Sequence, residues 1–209
     1  MIDIIAIERE YGSGAAAIAD KLSKRLNWKL WDRDITCEIA RRLKCKVDAV
    51  AEREERLDPT FHRLVKVFMR GSYEETFNGR GIELLDAEHL SILFERVIKD
   101  VAARGNCVIV GRGAPYFLRD LPNLMRVFLY APHEEKMRRL REIGKSAEDA
   151  EHLLETVDEE RAAFVKKYYA SEWPKRALYD VMINTRIGDE AVIDGILHHM
   201  EVLSAQPVR

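Results

Sequence analysis

Apolar positions follow two rhythms along this chain. Nearly unbroken apolar runs of strand length occur at Ile2–Ile7, Cys107–Gly111, Leu124–Tyr130 and Tyr179–Asn184, with a shorter strand-like stretch at Trp28–Trp31. Runs with so few polar interruptions suit strands covered on both faces, as in parallel sheets. Between them the spacing becomes helical. Ile18, Leu22 and Leu26 share a face in the alanine-rich segment after Gly14, and Leu90, Leu93, Phe94, Val97, Ile98 and Val101 share one in 86–103, which ends at Arg104-Gly105-Asn106. Strands alternating with helices of this length form βαβ crossovers. The pattern therefore predicts a doubly wound α/β core, a parallel sheet with helices on both faces.

Two stretches fall outside the alternation. Residues of about 47–85 contain Asp58-Pro59 and the glycine-bearing runs Arg70-Gly71-Ser72-Tyr73 and Asn78-Gly79-Arg80-Gly81, which read as loop between helical pieces. Residues of about 133–175 are helical and heavily charged, with Arg138, Arg139, Arg141, Lys145, Arg161, Lys166 and Lys167 among many acids. A solvated helix face explains such charges as readily as a ligand does. The expected organisation is one domain over residues 1–209: a core of 1–46, 86–132 and 176–209, and two inserts.

Composition narrows the class. Hydrophobic residues at 47% and charged residues at 33% give a chain able to bury a core, which excludes intrinsic disorder. The formal net charge of -2 provides no global field for nucleic acid, so any anion site must be local. No apolar stretch reaches the ~18 residues of a membrane span, and the opening Met1-Ile2-Asp3 lacks the basic start of a signal peptide, so no membrane is expected and the cytoplasm is the expected compartment. Cys37, Cys45 and Cys107 form no paired motif and are expected to be buried free thiols.

The chemistry concentrates after the first strand. Glu8-Arg9-Glu10-Tyr11-Gly12-Ser13-Gly14 links it to the first helix, where orphan backbone N–H groups and the helix dipole favour an anion. A phosphate loop of the form Gly-x-x-x-x-Gly-Lys-[Ser/Thr], registered on Gly14, would place Arg9 at the first glycine, Ala15 at the lysine and Ala16 at the hydroxyl. The pattern fails at those three places. A tight strand-to-helix turn without ligand competes with a donor phosphate site at Gly12, Ser13, Gly14, Ala15 and Ala16.

Over nearly its whole length the chain resembles the cytidylate kinase-like family, a nucleoside monophosphate kinase branch of the P-loop fold. Arg9-Glu10-Tyr11-Gly12-Ser13-Gly14 and Ile18-Ala19 match the family's first loop and helix, although Ala15-Ala16 stand where the family has Gly-Arg. Trp31-Asp32-Arg33-Asp34-Ile35, Val108-Ile109-Val110-Gly111-Arg112-Gly113 and Tyr179-Asp180 with Asn184 follow in the family's order. The resemblance implies ATP and other nucleotide ligands, a required Mg²⁺ ion, a helical acceptor-binding insert at 47–85 and an arginine-bearing lid at 133–175.

On the same grounds Arg112 is expected on the acceptor phosphate, though Gly113 replaces the aspartate of cytidylate kinases proper, and a plain turn arginine is the competing account. Asp158 and Arg161 match the end of a lid motif that reads the cytidine nucleotide. Three positions apart on one helix, they also suit a local ion pair. Asp32 and Arg33 would orient the acceptor, with Ser13 or Asp32 as candidate Mg²⁺ ligands; Asp34 also suits a helix N-cap. Phosphoryl transfer depends chiefly on positioning and charge neutralisation, so the loss at Ala15 and Ala16 shifts the catalytic load to Arg9, Arg139 and Arg161, with Arg9 the expected replacement cation. CMP or dCMP is the default acceptor. The alternative is a nucleotide-binding or regulatory protein that keeps the kinase fold without transfer.

Overall fold

The structure, a computed structural model, describes residues 1–32, 34, 35, 38, 41, 42 and 87–206. Five strands form one parallel sheet in the order β2-β3-β1-β4-β5: β1 (Ile4–Arg9), β2 (Lys29–Trp31), β3 (Cys107–Val110), β4 (Leu124–Tyr130) and β5 (Val181–Asn184). Helices α1 (Ala15–Leu26), α2 (Ala87–Ala102), α3 (Ala114–Phe117), α4 (His133–Glu142), α5 (Ala147–Tyr169) and α6 (Asp189–Ala205) flank it. The expected doubly wound parallel sheet is the one observed.

The two-faced burial explains the unbroken apolar runs. Ile4 and Ala6 of β1 and Ile109 of β3 pack towards Leu93, Phe94, Val97 and Ile98 of α2. Ile5 and Ile7, with Val108, Val110, Val127 and Leu129, pack towards Ile18 and Leu22 of α1 and Val192, Ile193 and Ile196 of α6. Each fully buried aliphatic side chain contributes roughly 1.5–3 kcal/mol, so neither face tolerates a polar slip of register. Cys107 lies wholly inside this core, where burial pushes its thiol up to about 12, and it is a free thiol as expected. Cys37, Cys45 and the segment of about 47–85 lie outside the described residues.

β1 starts and ends two residues later than its apolar run. Glu8 and Arg9 stay in the ladder because β4 continues beside them, pairing Glu8 with Phe128 and Arg9 with Leu129. Two charged residues are thus carried into the buried carboxyl end of the central strand. The sheet's carboxyl edge is crossed by α5. Ser146 caps its start, accepting the Asp149 N–H at 3.0 Å, and Glu148 and Asp149 in the first turn suit the helix dipole. Its first half buries Ala150 and Val157 with Tyr11 and Leu140. Its second half buries Val165 with Tyr116 and Phe128, and stacks Tyr169 on Tyr116 at 5.1 Å. The charged region from 133 therefore docks on the loop after β1 through an apolar stripe. No helix among the described residues is long and apolar enough to cross a membrane.

Candidate active site

Parallel strands direct their carboxyl ends, and the backbone turns that follow, to one edge of the sheet, the usual ligand edge of such folds. Glu8 and Arg9 end β1, Asp32 follows β2, Gly111-Arg112-Gly113 follow β3, and Thr185 follows β5. All of Glu8, Arg9, Asp32, Arg112 and Thr185 are buried.

The loop from Glu10 to Gly14 has the form of an anion nest. Gly14 adopts φ +79° at the N-cap of α1 and offers no side-chain cap, which leaves the helix start open. The N–H of Ser13 bonds the Glu10 carbonyl at 3.3 Å, and the N–H of Tyr11 bonds both carboxylate oxygens of Asp158, at 2.9 and 3.1 Å. The N–H groups of Gly14, Ala15 and Ala16 have no such partner among the described residues. The Ser13 hydroxyl is buried and likewise without a hydrogen-bond partner there. Orphan donors beside a buried free hydroxyl are what a phosphate site requires.

Residues of α4 and α5 grip this loop. Lys136 pairs with Glu10 at 2.5 Å. Arg139 donates from Nη1 to the Ser13 carbonyl and to Thr185 Oγ1 (2.8 Å), and from Nη2 to the Thr185 carbonyl (3.1 Å). Thr185 Oγ1 in turn donates to the Ser13 carbonyl at 2.7 Å. A Cβ on residue 14 would sit 3.0 Å from Arg139 Cζ, so glycine there serves both the positive φ and the close guanidinium. Arg161 donates from Nη1 to Asp158 (2.8 Å) and to the Arg9 carbonyl (3.0 Å). The expected local ion pair between Asp158 and Arg161 is therefore formed, and it is also tied to the loop after β1 at two points.

Behind the loop lies a cluster of buried charge. Arg9 Nη1 meets Glu8 Oε1 at 3.2 Å, and Arg112 Nη2 approaches Asp32 Oδ1 at 3.9 Å. Burial pushes the Arg112 guanidinium down to about 10, opposed by Asp32 and reinforced by Arg9 and Arg161. Burial also lowers Arg161, and Arg9 adds to the effect while Asp158 opposes it. Arg112 holds φ +61° between Gly111 and Gly113, themselves at positive φ, and a Cβ on residue 111 would collide with the Arg9 guanidinium. Tyr169 closes the cluster from α5; burial foremost, then the Glu8 carboxylate, keeps its hydroxyl protonated.

A cleft of about 780 Å³ opens over the loop. Its walls include Arg9, Gly12, Ser13, Gly14, Ala15, Ala16, Arg139 and Arg161, all expected for donor phosphates or transfer. Asp32, Arg112 and Asp158 do not line it. Arg33 lies outside the described residues. The sequence reading missed Thr185 and Arg186, which form the far wall, and Lys136 on α4. Their signal was positional: Thr185 and Arg186 directly follow a predicted parallel strand, hence the ligand edge. Lys21 does not line the cleft and pairs with Asp189 at 2.9 Å, which raises its pKa. No group of three or more potential metal-ligating side chains occurs among the described residues.

Solved structures share this architecture. An uncharacterized protein from Eubacterium ventriosum superposes with a TM-score of 0.67 at 22% identity, over 96% of this chain and 99% of that one. Shikimate kinase from Acinetobacter baumannii, in complex with shikimate, gives 0.55 at 17% identity over 99% and 97%. Shikimate kinase from Bacteroides thetaiotaomicron gives 0.53 at 18% over 96% and 99%. At these identities the likeness carries the fold, that of the P-loop kinases, and no curated protein matches the chain. The model of the cytidylate kinase-like family matches residues 4–187, and with the loop, the strand order and the strand-end arginine in place, the chain belongs to that family.

Proposed function

We propose that the protein transfers the γ-phosphoryl group of ATP to a nucleoside monophosphate, with CMP or dCMP as default acceptor. One observation carries this reading: the open start of α1 and the Ser13 hydroxyl, without a hydrogen-bond partner among the described residues, share a cleft with the guanidinia of Arg9, Arg139 and Arg161. Donor phosphates on the Gly12–Ala16 backbone would find dipole and cations together. An acceptor phosphate oxygen bonds to the γ-phosphorus as the bond from that phosphorus to the β,γ-bridging oxygen breaks, releasing ADP. That acceptor oxygen is already anionic near neutral pH, so no base is needed. An alcohol acceptor would have to lose a proton, and Asp32 is the buried carboxylate assigned to take it. Arg112 and Asp158 are assigned to the acceptor side.

Mg²⁺ fits the residues present. A Mg²⁺ ion in such sites takes one or two protein oxygens and otherwise water and phosphate, so it needs no cluster of ligating side chains, and none occurs among the described residues. The Ser13 hydroxyl or the Asp32 carboxylate, each with a buried oxygen that has no hydrogen-bond partner among the described residues, would hold it. The ion would neutralise charge on the donor phosphates.

The second reading, nucleotide binding without transfer, is favoured by Ala15 and Ala16, which supply neither ammonium nor hydroxyl. ADP release from Mg·ATP with a panel of nucleoside monophosphates, deoxynucleoside monophosphates and small alcohols separates the two. Release dependent on CMP or dCMP and abolished by EDTA supports transfer. ATP binding with no release for any acceptor supports the second reading.

A further inference from the structure

Arg9 stands where the usual phosphate loop has its first glycine, so this chain carries a side chain that the motif leaves out. Although Arg9 lines the cleft over the loop, its guanidinium does not stand at the start of α1. A Cβ on residue 14 would meet Arg139, whereas a Cβ on residue 111 would run into the guanidinium of Arg9. The space that Arg9 fills therefore belongs to the loop after β3, and glycine at 111 leaves it open. Glu8, a buried carboxylate with no part in the transfer reading, holds it there. Its Oε1 accepts from Arg9 Nη1 and from the Arg9 backbone N–H, each at 3.2 Å, and both side chains are less than a tenth exposed.

A guanidinium has five N–H groups in a planar fork. Those on Nε and Nη2 of Arg9 meet no protein acceptor among the described residues, and they share the edge that grips a phosphate through two parallel bonds. Buried donors left in this way are costly unless a ligand takes them. Arg112 from the loop after β3 and Arg161 from α5 lie close enough that the charge of Arg9 adds to the burial that lowers both. Glu8, Asp32 and Asp158 each flank one of the three guanidinia, which balances the charge and fixes where each cation stands. We infer that Arg9 is an acceptor-side residue whose Nε and Nη2 edge holds the acceptor's phosphate, with Glu8 as its positioning residue, so that the site selects phosphate monoesters over alcohols; the inference rests on the transfer reading above. It takes Arg9 off the donor phosphates, where the missing lysine made it the expected replacement.

The test uses the full chain, with calorimetric titration of inorganic tripolyphosphate for the donor side and of nucleoside monophosphates, CMP first, and their nucleosides for the acceptor side, and turnover by ADP release. Wild type is expected to bind a monophosphate at least about 10-fold more tightly than its nucleoside. Arg9→Gly, which restores the glycine of the motif, should weaken that monophosphate by about 10–100-fold and leave tripolyphosphate within about twofold. Arg9→Lys, lacking the fork, should recover only part of the loss. Glu8→Ala should raise the acceptor KM about 10-fold at unchanged tripolyphosphate affinity, and Glu8→Gln, which keeps an accepting oxygen, should recover most of it. If Glu8→Ala does not fold, Arg9→Gly and Arg9→Lys decide. A loss of tripolyphosphate affinity in Arg9→Gly as large as the loss for the monophosphate, or a monophosphate affinity within about twofold of wild type, would overturn the inference. So would a wild type that binds no monophosphate better than its nucleoside. A wild type that binds the monophosphate through Arg9 but releases no ADP with any acceptor would overturn the transfer reading and leave the phosphate contact standing.

Discussion

The arginines at the carboxyl edge of the sheet and those between α1 and α6 have the same chemistry in opposite surroundings. Arg25 meets Asp194 at 2.7 Å with both side chains about half exposed, a pair that water can replace at little cost. Arg112 is buried and Arg161 largely so, both beside Arg9, and desolvation lowers the pKa of each. Stability alone does not assemble three guanidinia behind one loop, since apolar residues of similar volume would fill the space as well or better. Charge kept at such a cost points to a ligand that repays it, whereas charge kept in water points only to solubility.

The largest effect should come from Arg112. Arg112→Met alone strands the Asp32 carboxylate and is expected to cost about 3 kcal/mol in denaturant unfolding. The double variant Asp32→Leu with Arg112→Met should return to within about 1 kcal/mol of wild type, or exceed it, while transfer falls by about 100-fold or more. A double variant as unstable as the single one would make the cluster structural and erase the contrast. The sign of the pH effect is fixed too. Burial brings the Arg112 guanidinium down to about 10 in the folded chain, below its ordinary value, so between the two the unfolded chain holds the extra proton and stability rises with pH. Wild type should therefore gain stability relative to Arg112→Met across that window.

Next in size is Arg161→Ala, which removes bonds to Asp158 and to the Arg9 carbonyl and should cost about 1–3 kcal/mol together with much of the transfer rate. Full activity in this variant would reduce the pair to a brace for α5. A smaller effect is expected at Glu38, whose carboxyl is held down to about 2 by hydrogen bonds from Arg41 and then Arg42. Glu38→Gln should lose about 1 kcal/mol or less at pH 7. Its folded pKa is depressed, so wild type's advantage is present above about 4.5 and disappears as pH falls through 2, as acid titration of both proteins would reveal. Arg25→Gln should be smallest, within about 0.5 kcal/mol and with transfer unchanged; a larger loss would mean that the exposed network is not the bland surface described here.

The fold was legible because both faces of the sheet are buried, and that burial writes itself as apolar runs: β4 coincides with its run, and α1 with its alanine-rich segment. The loop was legible for the same local reason, a strand, a Gly-Ser-Gly turn and a helix in succession. Arg139 was reached only through the family resemblance, not through its local pattern. Successive helix positions point about 100° apart, so Arg138 reaches Glu135 and Glu142 in solvent while its neighbour faces Ser13 and Thr185. Which of the two meets the loop depends on how α4 docks, and no local pattern states that. Thr185 is hidden likewise, because its partners Ser13 and Arg139 lie far away in sequence. Arg112 stands one residue beyond an apolar run, yet its burial follows from α5 and from two flanking glycines rather than from anything in the run.

The strand order has a consequence for how the chain must be made. β1 is central, but its neighbours β3 and β4 come roughly a hundred positions later, and β2 also pairs with β3. Neither β1 nor β2 can therefore enter the sheet until residue 107 has been synthesised. At about 5–20 residues per second, β1 waits on the order of 5–20 s on the ribosome as an apolar segment without a partner. A chain stopped before β3 would hold β1 and β2 without the strands they pair with, and such a fragment should be a chaperone client rather than a smaller domain.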